Sequence, residues 1–493
     1  MAASPGVVLA IDAGTTGVRT RAVFVDGRAA LADYREFTQH YPQPGCVEHD
    51  AEEIWRAVRA TLQHVCARLD EPVAAIGITN QRETVVAIDR RSGAPLHRAI
   101  VWQDRRTAPR CDELAAHLPA VRATTGLVLD PYFSGSKVEW LLRNTDIAGA
   151  KNLAFATIDA FIIHRLTGGA AFATDVSNAS RTMLFDIRTL CWSREMCAMF
   201  GVDESTLPEV VSSSGRIGVT VADGAIPAGV PISGAAGDQQ AALFGQACFS
   251  PGSAKNTYGT GSFVLMNVGT ACPPPTSGML TTVAWRIADQ PAVYALEGAI
   301  FVTGAAVQWL RDGLGIIEQS SDIGPLAESV ADSGGVVMVP AFAGLGSQWW
   351  DAYARGAMFG ITRGTSRAHI ARAVVESMVH QVRDVVDAMT RAAGVAISDL
   401  RVDGGAAVMD LMLQMQADQL GVDVLRPTEL ETTAIGAAYL AGLAEGVWGS
   451  TLDIASRWAL ARRFSPGRVT PQARDAAHSA WLRAVERARA WAV

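Results

Sequence analysis

VVLAIDAGTTGVRTRAVFVDG, Val7 to Gly27, is the stretch from which the fold is read. Val7–Ile11 is an unbroken apolar run of strand length. Asp12–Gly17 is turn chemistry, and Thr20–Val25 resumes a strand pattern closed by Asp26 and Gly27. The device recurs midway in AKNTYGTGSFVLMNVG, Ala254 to Gly269, where Lys255–Tyr258 leads through Gly259-Thr260-Gly261 into the apolar Ser262–Val268. One strand–turn–strand unit near the start of each half predicts internal duplication. In a chain of 46 glycines, chance recurrence of Gly-Thr turns is the competing explanation.

Outward from these hairpins, Val73–Ile78, Pro231–Gly234, Val336–Pro340 and Leu400–Val402 read as further central strands. Helical patterns fall between them, over Ala368–Ala392, Val408–Leu420 and from about Gln240. Strands alternating with helices imply α/β layers around buried sheets. The 493 residues exceed one ordinary core. A boundary near residue 247, just before the second hairpin, gives domains 1–246 and 247–493. No Pro/Ser linker marks it, so the halves are expected to pack closely around a cleft.

Composition excludes several classes. Net charge is −7, and no Lys/Arg block interleaves with aromatics, so nucleic acid is not an expected partner. Mean hydropathy is +0.17. Yet no apolar run approaches the roughly 20 residues that span a bilayer, and Met1–Ala10 lacks a basic leader pattern. Seven scattered cysteines without a C-x-x-C, and nine dispersed histidines, suggest neither a disulfide framework nor a zinc site. A reducing, cytoplasmic setting is expected. Of 42 basic residues only Lys137, Lys151 and Lys255 are lysine. A chain this biased toward arginine keeps lysine where a compact ammonium is needed, if the survivors are not chance.

The chemistry starts at the turns. Glycine lets backbone approach a ligand, and successive turn N–H groups form an anion-binding nest. Asp12 ends a strand, where a carboxylate suits a hard cation such as Mg²⁺. Gly259-Thr260-Gly261 is a second nest, and Val402-Asp403-Gly404-Gly405-Ala406 offers bare backbone before a helix. No G-x-x-x-x-G-K-[ST] is present, so an ordinary P-loop is not the explanation.

The order of these elements resembles the superfamily of actin, heat-shock ATPases and sugar kinases, and most of all the FGGY family of carbohydrate kinases. The strings that carry the likeness are GITNQRET (Gly77–Thr84), IVWQDRRTA (Ile100–Ala108), DPYFSGSK (Asp130–Lys137), SNASRTMLFDI (Ser177–Ile187), PISGAAGDQQAALFGQ (Pro231–Gln246), AKNTYGTG (Ala254–Gly261), ALEGAIFVTGAAVQWLRD (Ala295–Asp312) and LRVDGGA (Leu400–Ala406). The resemblance implies two ribonuclease-H-like α/β domains around a central cleft. It implies ATP-dependent phosphorylation of a small polyol, with glycerol the expected acceptor and Mg²⁺ the metal. The N-terminal domain would carry the polyol site and first phosphate hairpin, the C-terminal domain the second hairpin and the adenosine site. Arg82, Glu83, Tyr132, Asp238 and Gln239 would then bind hydroxyls, with Trp102 and Phe263 as the apolar wall. Asp238 would be the general base, and Asp12 with Asp238 would hold the metal. Thr15, Thr16, Gly17, Arg19, Thr260, Gly304, Gln308, Gly405 and Met409 would meet the nucleotide. Family habit implies a homo-oligomer, dimer or tetramer.

Departures from the family pattern are also visible. Ala13 stands for a usual glutamine, Gly17 for a serine, Met409 for an asparagine near the adenine, and Ser347-Gln348-Trp349 for Ala-Pro-Tyr. Ile226–Val230 lacks the arginine through which fructose 1,6-bisphosphate inhibits some relatives, so that control is expected to be absent. No counterpart of a phosphorylatable histidine falls between Asp186 and Gly201. Two alternatives stand beside the glycerol reading. One is a kinase of the same family acting on a tetritol, a pentulose or dihydroxyacetone. The other is a non-enzymatic actin-like nucleotide switch.

Overall fold

The computed structural model describes residues 6–276 and 278–492. The first half of the leader reading, Met1–Pro5, lies outside the described residues.

Two large sheets share one plan. The first is built from β1 (Val7–Ala13), β2 (Gly17–Val23), β3 (Leu31–Glu36), β4 (Val73–Asn80), β5 (Ser214–Val219) and β6 (Pro231–Gly237), in the order β5-β6-β4-β1-β2-β3. The second uses β7 (Ala254–Tyr258), β8 (Ser262–Gly269), β9 (Leu280–Trp285), β10 (Val293–Ile300), β11 (Asp399–Asp403), β12 (Asp423–Pro427) and β13 (Leu460–Phe464), in the order β9-β10-β8-β7-β11-β12-β13. In the first, β1–β2–β3 is an antiparallel meander, β1–β4–β6 is parallel, and β5 closes antiparallel. In the second, β7–β8–β10, β7–β11–β12 and β13 repeat those relations step for step, with β9 as an added edge. The shared topology supports duplication far better than two Gly-Thr turns do.

The local chemistry explains the elements. Val7–Ile11 is wholly buried, so its strand reads as a continuous apolar run. The parallel step from β3 to β4 is made by α1 (Ala51–Cys66), whose Asp50 caps the Glu52 N–H and whose Ile54, Val58, Leu62 and Val65 face the core. Its counterpart before β11 is α3 (Arg367–Ala393), stopped by Gly394 in the left-handed region. Between them in the chain, α2 (Asp238–Gly245) follows β6 directly. Helices α4 (Asp410–Leu420) and α5 (Thr432–Ala444) flank β12.

The two halves are locked by helices that cross the seam. Ala437, Ala438 and Ala441 of α5 share one buried cluster with Val8, Ala10 and Ala75 of the first sheet and with Leu265 and Ala295 of the second. Backbones meet here: a Cβ on Gly436 would lie 1.8 Å from the Ala241 carbonyl oxygen, and one on Gly245 would lie 2.0 Å from that of Thr432. Only glycine fits at either crossing position.

One strand expectation is corrected. Val337–Val339 does form a strand, but it pairs only with Ala357–Phe359 in a separate two-stranded ribbon. It is apolar because it packs under the C-terminal helix at Pro471–Ala488, with Trp481, Ala484 and Val485, so apolarity alone misled.

Candidate active site

The first hairpin turns at Gly14–Thr16, between Asp12-Ala13 of β1 and Gly17 of β2. Its carbonyls are pinned from outside. Gln81 Nε2 donates to Gly14 (3.0 Å), and Gln39 Nε2 donates to Thr15 (2.9 Å). The Thr15 hydroxyl accepts from Trp102 Nε1 (2.9 Å), which ties the phosphate hairpin to the expected polyol wall. Gly17 is buried, and a Cβ there would meet the Tyr34 ring and the Arg35 carbonyl at 2.6 Å. Tyr34 therefore fills the space a side chain at 17 would take, and Gly17 can offer a ligand backbone only. Arg19 is ion-paired with Glu431 and Arg21 with Glu429, both from the other half. Arg19 thus serves the seam as well as any ligand.

The expected hydroxyl-binding residues gather in one buried cluster. Arg82 is 2% exposed, Glu83 3%, Tyr132 8% and Gln239 8%. The Arg82 Nε lies 3.2 Å from Asp238 Oδ1, and its Nη2 donates to Tyr132 Oη at 3.3 Å. Its guanidinium sits 5.7 Å from the Phe263 ring centre. Trp102 and Tyr132 meet edge to face at 5.7 Å. Asp238 opens α2 straight from the end of β6, its side chain 30% exposed. Gly237 before it donates its N–H to Ser177 Oγ (3.0 Å), and a Cβ at 237 would strike Arg82 Cδ at 2.6 Å. The glycine allows Asp238 and Arg82 to touch.

Glu83 is held in the left-handed region at φ 61°, strained for a residue with a Cβ. Its carbonyl accepts from Ser134 Oγ (3.1 Å) and Lys137 Nζ (3.4 Å). Lys137 also donates to the carbonyls of Tyr132 (2.5 Å) and Phe133 (3.1 Å). Lys255 is equally buried and donates to Gln239 Oε1 and to Thr257 Oγ1 (2.8 Å). Both lysines sit where one compact ammonium meets several oxygens, whereas Lys151 is exposed.

Burial sets the electrostatics. It pushes Asp12 up to about 7, helped by the Asp238 charge and opposed by Arg19. Asp238 is raised by burial against Arg82 and Lys255. Glu83 is also raised by burial, against Arg82 and Arg181. Burial pulls Lys137 and Lys255 down to about 8. The charge of Asp238 is felt at Asp12, so the two carboxylates lie within electrostatic range of each other.

Thr260, Gly304, Gln308, Gly405 and Met409 line a single cleft of about 630 Å³. The Gly304 N–H donates to the Gly259 carbonyl (3.0 Å), and a Cβ there would hit that oxygen at 2.6 Å. Gly404, at φ 86°, lets the chain pass over Tyr258, and Gly405 faces open space. Val307, Ile323 and the Met409 side chain supply apolar wall suited to a flat ring. Met409 brings no amide to that wall.

Three participants were missed. Arg181 and Glu297 lie inside the strings SNASRTMLFDI and ALEGAIF, and Gln240 follows Gln239, yet none was given a role. Arg181 Nε donates to Glu83 Oε1 (2.7 Å), and Arg82 is bound by Glu297 and by Gln240 Oε1 (3.1 Å). The signal was available: an arginine and a glutamate in otherwise buried stretches require partners.

Among the described residues no helix is long and apolar enough to cross a membrane.

The chain matches known proteins along nearly its whole length. Residues 7–245 match the N-terminal domain of the FGGY family of carbohydrate kinases, and residues 254–445 match its C-terminal domain. Glycerol kinase of Symbiobacterium thermophilum is 54% identical, covering 99% of each chain, and that of Dechloromonas aromatica is 53% identical, covering 98% of each. The crystal structure of Plasmodium falciparum glycerol kinase with ADP superposes with a TM-score of 0.92 at 33% identity, covering 98% of each chain. With both family domains matched in order and the fold shared from end to end, this chain belongs to the FGGY family of carbohydrate kinases.

Proposed function

We propose that the protein transfers the γ-phosphoryl group of ATP to a terminal hydroxyl of glycerol, forming glycerol 3-phosphate. The observation that carries this reading is the buried cluster of Arg82, Glu83, Tyr132 and Asp238 against the Trp102 and Phe263 rings, which stands beside the phosphate hairpin through the Trp102–Thr15 bond. Glycerol offers three hydroxyls and a thin C–H edge, and the cluster offers matching donors, acceptors and apolar wall. The 54% identity to a glycerol kinase supports the same acceptor.

Phosphoryl transfer runs through a loose transition state, so positioning and charge neutralisation do most of the work. Asp238 accepts the proton of the attacking hydroxyl. Arg82 and Glu83 fix the other hydroxyls, and a site that pairs each of them rejects an analogue lacking one by up to about 10⁴-fold. The backbone turns at Thr15-Thr16-Gly17 and Thr260 take the phosphates, with Arg19 at their edge. Gly304, Gln308, Gly405 and Met409 take the nucleoside. Asp12 and Asp238 fit a magnesium ion: they are part-buried carboxylates, and Asp12, raised by burial and by the Asp238 charge, would gain from a shared divalent cation. Bound there, the ion would neutralise phosphate charge. We assign residues 1–246 to the polyol half and 247–493 to the nucleoside half, and we place the enzyme in the cytoplasm as a dimer or tetramer, testable by light scattering.

Coupled measurement of ADP release with glycerol, erythritol, dihydroxyacetone, xylulose and water as acceptors tests the assignment. Glycerol should give the largest kcat/KM. A ketose preferred over glycerol, or ATP binding with no acceptor-dependent turnover, would overturn it.

A further inference from the structure

The polyol cluster is completed by a residue from the other half of the molecule. Glu297 lies on β10 of the second sheet and is fully buried. Its neighbour Leu296 packs into the C-terminal core, while Ala295 packs into the seam cluster. The two-residue period of the strand therefore turns Glu297 toward the seam. There Glu297 Oε2 accepts from Arg82 Nη1 (2.5 Å), and Oε1 accepts from Arg82 Nη2 (3.0 Å) and Arg181 Nη2 (2.8 Å). Arg181 in turn donates through Nε to Glu83 Oε1. Two guanidinium groups and two carboxylates thus form a buried network, forked between Arg82 and Glu297, singly bonded from Arg181 to each carboxylate, and completed by the Arg82 Nε–Glu83 Oε1 charge contact at 3.7 Å. A planar fork is the only basic group that spans two carboxylates in this way.

Building on the glycerol kinase reading, we infer that Glu297 and Arg181 are positioning residues for the acceptor: the C-terminal half, through Glu297, sets the orientation of Arg82 and Glu83 and hence the affinity for polyol. The charge balance gives the reason. With Glu297, three cations (Arg82, Arg181 and Lys255) face three carboxylates (Glu83, Asp238 and Glu297), and Arg82 is held to Glu297 by both arms. Without it, Arg82 and Arg181 have Glu83 and Asp238 as their remaining anionic neighbours. Both guanidinium groups then compete for the carboxylates that must accept substrate hydroxyls. The loss falls on the acceptor, because neither Glu297 nor Arg181 lines the nucleoside cleft.

The test is steady-state kinetics of Glu297→Gln, Glu297→Asp, Arg181→Lys and the charge-balanced double variant Arg181→Gln/Glu297→Gln, each with a melting curve and an ADP-binding titration. Removing one partner of a buried charge pair predicts a rise in glycerol KM of at least about thirtyfold for Glu297→Gln, with the KM for MgATP within about threefold. Glu297→Asp should recover part of that loss, and Arg181→Lys should not match wild type despite its charge. Should the single variant fail to fold, the double variant removes one charge of each sign and carries the same expected glycerol KM. A folded variant with a near-normal glycerol KM, or with glycerol and ATP KM raised equally, would overturn the inference. Wild-type protein that turns over another acceptor but not glycerol would overturn the substrate reading alone. The same variants would then be read on that acceptor.

Discussion

At the scale of one residue, the proposed chemistry rests on Asp238. Its carboxylate emerges at the start of α2, touches Arg82 and is raised by burial, the direction that makes a carboxylate a better proton acceptor. Asp238→Asn should lower kcat by about 10²–10⁴-fold while ADP still binds, measured by coupled assay and calorimetry. Lys137 acts one step back, on the backbone of Glu83. Lys137→Arg keeps the charge but cannot seat three carbonyls around one nitrogen, so glycerol KM should rise about tenfold with ATP KM unchanged. The residues named from the sequence as hydroxyl binders do converge, because family strings fix them in register. Arg181 and Glu297 carry no such mark, since what joins them is a contact between a turn and a strand more than a hundred residues apart. The role of Gly17 was also hidden: the crowding comes from Tyr34 across the sheet, which spacing along the chain does not reveal.

At the scale of elements, hairpins and helix crossings divide the work. The strand–turn–strand units were legible because a run buried on both faces followed by Gly/Thr punctuation leaves few alternatives. The ribbon at Val337–Val339 was not, because an apolar run of that length cannot say which sheet it joins. The α2–α5 crossing was invisible as well, since alanine and glycine in a helix show no polar face. That crossing makes a sharp prediction. Gly436→Ala places a methyl against the Ala241 carbonyl and should destabilise the fold by about 3 kcal/mol in a denaturant titration. Gly405→Ala meets nothing within 4 Å and should leave stability within about 0.5 kcal/mol of wild type.

For the whole molecule, stability should depend on pH through buried histidines. Burial lowers His49 to about 4 and His380 to about 3, with His40 adding to the first and His478 and Arg383 to the second. His49 supports the first hairpin through Gln39, and His380 stacks on Trp481 of the C-terminal helix. Below about 6.5 the unfolded chain takes up protons that the folded chain refuses. The histidine contribution is therefore full above that pH and falls as acid is added, by about 1.4 kcal/mol per pH unit for each histidine. Asp12 and Asp159, both raised to about 7 by burial, act in the opposite sense over the same range, so the histidine share is read by difference: from pH 7 to pH 5 the wild type should lose stability relative to His380→Phe in melting curves.

The same two-sheet plan makes the central claim geometrical: an acceptor cluster drawn mainly from the first half and a nucleoside cleft on the second must address one transferring phosphoryl group. A crystal structure with glycerol and a non-hydrolysable ATP analogue tests that directly. It should show a terminal glycerol hydroxyl within about 2.6–3.2 Å of the Asp238 carboxylate, with the triphosphate running from the Gly405 cleft between the turns at Thr15 and Thr260. Glycerol bound away from Arg82 and Asp238, or a γ-phosphate that points out of the cleft, would contradict the account.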